Sequence, residues 1–299
     1  MTTPDTAPKS GGYFGGLGIV TLGKRVVSEV QTDNCLGQAA QLSFYFLLAL
    51  FPFLLFLTAL LAYVPIPDLM EKIFDLLRAI IPGEALILVQ DNVENLVTHQ
   101  RGGLLSFGIV MALWSSSSAI TAVMETLNLA YDVVEGRPFW KVRGLAILLT
   151  ILLSVLLVTA MALLVFGPYL GHWVASQFGL GYVFQVAWAL VRWVFIVVFL
   201  VLAMGLIYSI APDVEQHWKW LTPGSIFSVI AIIGVSLAFS YYVDNFGSYN
   251  DTYGSIGAVI VLMLWMYFVG FLILVGGEIN AEIEHAAASG KDSGEKALD

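Results

Sequence analysis

The sequence predicts an all-α integral membrane protein, a bundle of six transmembrane helices with an amphipathic external helical pair between the first two spans. Three observations carry that reading. Of 299 residues, 59% are apolar and 12% are charged, against about 45–50% and about 25% in an ordinary soluble domain. Mean hydropathy is +0.85. Six segments have the roughly 20 apolar residues that a helix needs to cross a bilayer. The 28 glycines suit close helix contact, and the 8 tryptophans and 12 tyrosines suit rings at the headgroup level.

Residues 1–23 are expected to form a disordered cytoplasmic tail; the first 41 residues hold no apolar core long enough for a cleavable leader, so the first span is expected to act as a retained anchor. The membrane domain covers 24–286, and 287–299 form a second disordered cytoplasmic tail. Residues 24–41 suit an interfacial helix leading into the first span, at 42–64. Between 67 and 99, apolar residues such as Leu69, Ile73, Leu76 and Ile80 recur at helical spacing. Pro82-Gly83 divides this stretch into the external pair. The remaining spans are 104–124, 145–167, 183–211, 224–243 and 255–277. The second tolerates four central serines, because their hydroxyls can bond back to the preceding turn.

Lys and Arg in the loops set the orientation. With the N-terminus inside, Lys9, Lys24, Arg25, Arg137, Lys141, Arg143, Lys219, Lys291 and Lys296 are cytoplasmic; only Lys72, Arg78 and Arg101 are external. The bias places both termini in the cytoplasm.

Several residues are candidates for a pathway or gate. Pro52 interrupts the backbone bonding of the first span. Ser115, Ser116, Ser117 and Ser118 span more than one turn, and either line a polar path or pack helices closely. Glu125 and Asn128 end the second span, before a connection whose acids and bases suit a salt-bridged elbow; Glu278 and Asn280 end the sixth in the same way. Asp244 belongs to an acidic external loop. Arg192 is the one basic residue inside a predicted span. It either snorkels to the interface beside Trp188 and Trp193 or faces an anionic group within the bundle.

Enzyme signatures are missing. The four histidines are scattered without metal-ligand spacing, there is no phosphate-binding loop and no nucleophile elbow, and no cofactor motif is present. The formal charge of −9 disfavours a nucleic-acid partner. The single Cys35 allows no internal disulfide.

The string Trp114-Ser-Ser-Ser-Ser-Ala-Ile-Thr-Ala-Val-Met-Glu125-Thr-Leu-Asn128-Leu-Ala-Tyr131, followed by Arg137-Pro138-Phe139-Trp140-Lys141-Val-Arg143, resembles the YihY/virulence factor BrkB family. So does Tyr253-Gly254-Ser255-Ile-Gly257-Ala258 through Trp265 and Tyr267 to Gly277-Glu278-Ile-Asn280-Ala-Glu282. Gln38-Ala-Ala-Gln41-Leu-Ser-Phe-Tyr45, Phe51-Pro52, Pro212-Asp213 and Pro223-Gly224 match as well. The resemblance covers about residues 25–285. It implies a six-helix bacterial inner-membrane protein with both ends cytoplasmic. Members carry an old ribonuclease BN label, and others have been linked to serum resistance, to envelope lipid or lipopolysaccharide movement and to solute transport.

Together these readings lead to a transporter that is not driven by ATP, carrying a lipid, a lipid-linked envelope component or a small solute. Membrane lipids are its surroundings and an oligomer is possible in principle through glycine pairs such as Gly15-Gly16 and Gly276-Gly277. The rival is a non-transporting envelope-assembly scaffold that works through the external pair.

Overall fold

Apolar runs without an alternating pattern can bury their backbone polar groups only as helices, and helices are what form. The computed structural model describes residues 16–61, 102–215, 221–246, 255–286 and 295–296. These hold α1 (Ile19–Thr32), α2 (Cys35–Leu61), α3 (Gly102–Ala130), α4 (Phe139–Phe178), α5 (Tyr182–Ile210), α6 (Pro223–Phe246) and α7 (Ser255–Ala286), and no strand among the described residues. The predicted external pair at 67–99 lies outside the described residues, as do residues 1–15. Of the C-terminal tail, Glu295 and Lys296 are described. They are docked rather than free: the Glu215 N–H donates to the Lys296 carbonyl at 2.8 Å.

Among the described residues, α4, α5, 223–243 of α6 and Val259–Ala286 of α7 are long and apolar enough to cross a membrane, and α2 holds a shorter apolar stretch, Cys35–Leu50. α4 has 40 residues, about 60 Å at about 1.5 Å each, so it outruns an apolar core of about 30 Å. Both prolines inside helices are carried without a break: α2 continues through Pro52 and α4 through Pro168.

The connections follow from local chemistry. α1 and α2 meet at Asp33 and Asn34, with Asn34 at φ 49°, a left-handed position that asparagine tolerates better than most residues. α4 begins after Pro138, whose fixed φ suits a helix start, and ends at Gly179 with φ 63°. Thr222 caps α6: its Oγ1 accepts from the Ser225 N–H while Ser225 Oγ accepts from the Thr222 N–H, both at 3.1 Å.

Each helix from α2 to α7 packs on its neighbours in chain order, and α7 returns to α2, closing a ring; α7 also touches α3, and α1 lies on α7 and α2. The apolar core fills one half of this ring. Leu42 of α2, Met124 and Leu127 of α3, Leu149 of α4, Tyr208 of α5 and Leu274 of α7 are all buried there. That half is where α2, α4 and α6 begin and α3, α5 and α7 end, and it is called the junction end below. α6 and α7 approach backbone to backbone at this end: a side chain on Gly276 would meet Ser228 Oγ and Tyr208 Oη.

Candidate functional site

Four polar assemblies lie along or at the junction end, the first three built by helix ends that the ring brings together. The first fastens the α3–α4 connection to the α5–α6 connection. Asn128 Nδ2 donates to Glu135 Oε2 at 2.9 Å, and its Oδ1 accepts from the Asp213 N–H at 2.7 Å. Arg137 grips Glu135 with two bonds of 2.8 and 2.6 Å and donates to the Ala211 carbonyl at 2.8 Å. A cation there complements the C-terminal dipole of α5. The Arg137 guanidinium holds the Glu135 carboxyl down at about 2. Burial alone would raise Asp213, but Lys296 Nζ at 2.5 Å and the Gly136 N–H outweigh it and hold the carboxyl below its ordinary range. Beside them lies a cavity of about 390 Å³, lined in part by Lys141, Leu145 and Pro212.

The second assembly ties α6 to α7. Asn280 Oδ1 accepts from the Gly224 N–H at 2.8 Å, and Nδ2 donates to Thr222 Oγ1 at 3.0 Å. Deeper in the ring, Tyr208 Oη donates to the Ile273 carbonyl and pairs with Ser228 Oγ, both at 2.7 Å. Amides in the first turn of a helix lack acceptors within it, and Asn280 satisfies that of Gly224 from a neighbouring helix.

In the third, α7 meets the α1–α2 joint. Glu278 is 1% exposed. Its Oε1 accepts from Cys35 Sγ at 3.4 Å.

The fourth lies between α3 and α4. Arg143, 9% exposed, sits with its guanidinium carbon 4.2 Å from the centroid of the Trp114 ring. It donates to the Trp114 carbonyl and, at 3.3 Å, to Ser118 Oγ. Its Nε–H has no partner, and among the described residues no carboxylate pairs with it. Among the described residues, hydroxyl and carbonyl dipoles and an aromatic face are what this cation meets.

With this geometry in place, comparison with known proteins identifies the family. The family model described as virulence factor BrkB matches residues 26–298. The chain belongs to the virulence factor BrkB family. It is 41% identical over 258 residues to a ribonuclease-like protein of Bacillus subtilis, covering 86% of this chain and 93% of that one. It is 24% identical over 273 residues to a UPF0761 membrane protein of Xanthomonas axonopodis, covering 88% of this chain and 61% of that one. A UPF0761 membrane protein of Stenotrophomonas maltophilia is 21% identical over 276 residues, with coverage of 88% and 61%. The chain therefore spans about three fifths of the length of these two relatives. No solved structure matches.

In this BrkB-family membrane protein, the residues singled out from sequence fall into separate places. Asn128, Glu278 and Asn280 are buried at the junction end. Ser116 and Ser117 are buried and bond back to the carbonyls of Leu113 and Trp114, Ser118 serves Arg143, and Ser115 is exposed. Glu125 is exposed on α3, and Pro52 is half-buried in α2. Asp244 lies in the last turn of α6, but its side chain is outside the described residues. Arg192 stands apart, about 27 Å along α5 from Ile210 at about 1.5 Å per residue. Its stem covers Gly167 of α4, where a Cβ would meet Arg192 Cδ, and its Nε–H has no partner. One turn away Trp188 Nε1 donates to the Gly167 carbonyl at 2.6 Å and lies over Gly171.

Sequence reasoning missed Arg143 as a site residue and counted it among loop cations. The signal was present: Arg143 stands only four residues beyond Phe139, where α4 begins, and a long apolar run follows it. Gly167 and Gly171, a small-xxx-small pair that seats α5, were likewise legible and passed over.

Proposed function

We propose that this BrkB-family protein is a membrane transporter that is not driven by ATP and carries an anionic cargo: a lipid, a lipid-linked envelope component or a small solute. Arg143 is the observation that carries the reading. An ionisable residue within a membrane bundle is costly and by default marks a substrate or ion path. Here the cation is nine-tenths buried, faces no carboxylate among the described residues and keeps one donor unused. The exposed Trp114 ring and Ser115 beside it give an approach from the α3 surface.

The same reading takes α2 and α3 as spans, so that six helices cross a bacterial inner membrane with both termini in the cytoplasm. In support, α2 and α3 have 27 and 29 residues and close the ring with the four apolar helices. The junction end is also where the loop cations Arg137, Lys141 and Lys296 collect, as the cytoplasmic side should. The name of the Bacillus relative suggests a nuclease, but the described residues hold no group of three or more His, Cys, Asp or Glu able to bind a metal.

The test uses the full chain in vesicles carrying fluorescent phosphatidylglycerol, with loss of fluorescence to a membrane-impermeant quencher as the readout, alongside efflux of trapped inorganic phosphate and a zwitterionic lipid control. Movement of either anionic probe, lost in Arg143→Met, supports the proposal. Equal movement of the zwitterionic lipid, or no movement of either anionic probe, overturns it.

A further inference from the structure

We propose that Arg192 is a recognition site for the phosphate of an anionic lipid, at the membrane edge opposite the junction end. Between Gly144 and Ala211 no Asp, Glu or Lys occurs, and Arg192 is the one arginine. The two helices that hold this cation therefore offer it no opposite charge. Among the described residues no carboxylate pairs with it from elsewhere, and its guanidinium donates to no acceptor there. The stem lies over Gly167 and Nε is buried, while the residue as a whole is half-buried, so the open part is the outer edge of the guanidinium. A planar fork with unused donors fits two oxygens of one phosphate.

Its depth is set by helix length. Arg192 lies about 27 Å along α5 from Ile210, and Gly167 about 36 Å along α4 from Arg143, at about 1.5 Å per residue. A hydrocarbon core is about 30 Å thick. With the junction end at one edge of the bilayer, Arg192 stands at the other. An independent observation marks the same level: Tyr169, Trp173 and Trp193 are exposed there, and such rings favour the headgroup region.

The site is fixed before any ligand arrives. Trp188 spends its Nε1 donor on the Gly167 carbonyl at 2.6 Å and lays its ring over Gly171, one turn from the seat of Arg192. The Trp193 ring lies 5.9 Å from the Arg192 guanidinium carbon. One turn nearer the bilayer centre, Phe195 of α5 and Leu164 of α4 are exposed. An acyl chain running inward from a phosphate on Arg192 covers that apolar surface; a free phosphate leaves it unused. The site neither needs nor implies transport, which is assigned to Arg143 between α3 and α4.

The test holds the full-length protein in an uncharged detergent and follows its melting temperature as phosphatidylglycerol, phosphatidylcholine or inorganic phosphate is added. Phosphatidylglycerol is expected to raise it in wild type, because a ligand that binds the folded form stabilises that form. Arg192→Met keeps an apolar stem over Gly167 and loses the fork. Its half-saturation is expected at a concentration at least about tenfold higher, the factor for one charge-assisted bond. Lys24→Gln, which removes an exposed cation of α1, is expected to leave the titration unchanged. Each variant is compared with its own lipid-free melting temperature, so a lower starting stability does not enter; if Arg192→Met fails to fold, Arg192→Gln takes its place. A wild-type titration in the Arg192 variant, or an equal loss in Lys24→Gln, overturns the proposal. So does an equal shift with phosphatidylcholine, which carries no net charge, or with inorganic phosphate, which carries no chains.

Discussion

Arg143 lies 4.2 Å above the ring of Trp114 and donates to the carbonyl of that same residue, so one tryptophan meets the cation with both its π face and its backbone. A planar guanidinium can do both at once; an ammonium cannot keep the fork. Among the described residues the cation has no opposite charge to repay its burial, so its removal should cost little stability. Arg143→Met is expected to fold with an unchanged or higher melting temperature, because an apolar side chain of similar volume replaces an uncompensated charge. Transport is expected to fall at least about tenfold, since a lost charge-assisted bond of about 1.5–3 kcal/mol corresponds to that factor or more. Arg143→Lys should retain charge but not activity. Thermal unfolding and vesicle flux measured on the same preparations check both halves. A large drop in melting temperature for Arg143→Met would identify a structural cation instead.

Tyr208 is fully buried and spends its hydroxyl on Ser228 and on the Ile273 carbonyl. Tyr208→Phe removes the donor and leaves a buried carbonyl with one partner fewer. The expected cost is about 1–3 kcal/mol, read as a lower denaturant midpoint with an unchanged slope. Ser228→Ala should cost less, because Tyr208 keeps its bond to Ile273.

Gly276 marks the closest approach of α6 and α7. A methyl group there would meet Ser228 Oγ and Tyr208 Oη, and the facing Gly224 has no side chain that could retract. Gly276→Ala is therefore expected to destabilise by about 1–3 kcal/mol through overpacking. Gly234, in the same α6 but with nothing near its missing Cβ, is the control: Gly234→Ala should be neutral or slightly stabilising. Melting temperatures of the two variants separate close packing from a general intolerance of alanine.

How far the chain could be read in advance depended on the length of the interaction. The helices were legible because each is a local apolar run, and the family was legible because its motifs are contiguous strings. The elbow was half legible: Glu135 and Arg137 stand two residues apart, so their pairing is local, whereas Asp213 joins them from 77 residues beyond Gly136. Glu278 and Asn280 could be flagged as polar groups at a helix end, but their partners Cys35 and Gly224 lie 243 and 56 residues away. Nothing in a single sequence encodes which helix ends meet. The packing of Arg192 was hidden for the same reason, since Gly167 lies on another helix. A cation in an apolar run draws the eye, yet its stem serves as packing over Gly167, while Arg143, disguised by its position near a loop, is the more deeply buried of the two.

The elbow makes the last prediction, because its ionisation has a sign. Glu135 is held at about 2 by Arg137, far below the ordinary value of 4.5. A lowered carboxyl stabilises the folded form above its ordinary value, and that contribution is lost as pH falls toward the folded one. The elbow should therefore be intact at neutral pH and loosen between about 4.5 and about 2. Asn128 and Arg137 lose an ionised acceptor in that window, so the α3–α4 connection detaches from α5 while the apolar ring persists. Hydrogen exchange of the Asp213 and Gly136 amides, which are tied to Asn128 and to the Asp213 carboxylate, should speed up across this range before the helices exchange. Glu135→Gln should bring the faster exchange to neutral pH. If the two amides stay protected at low pH while the helices open, the elbow is not held by charge.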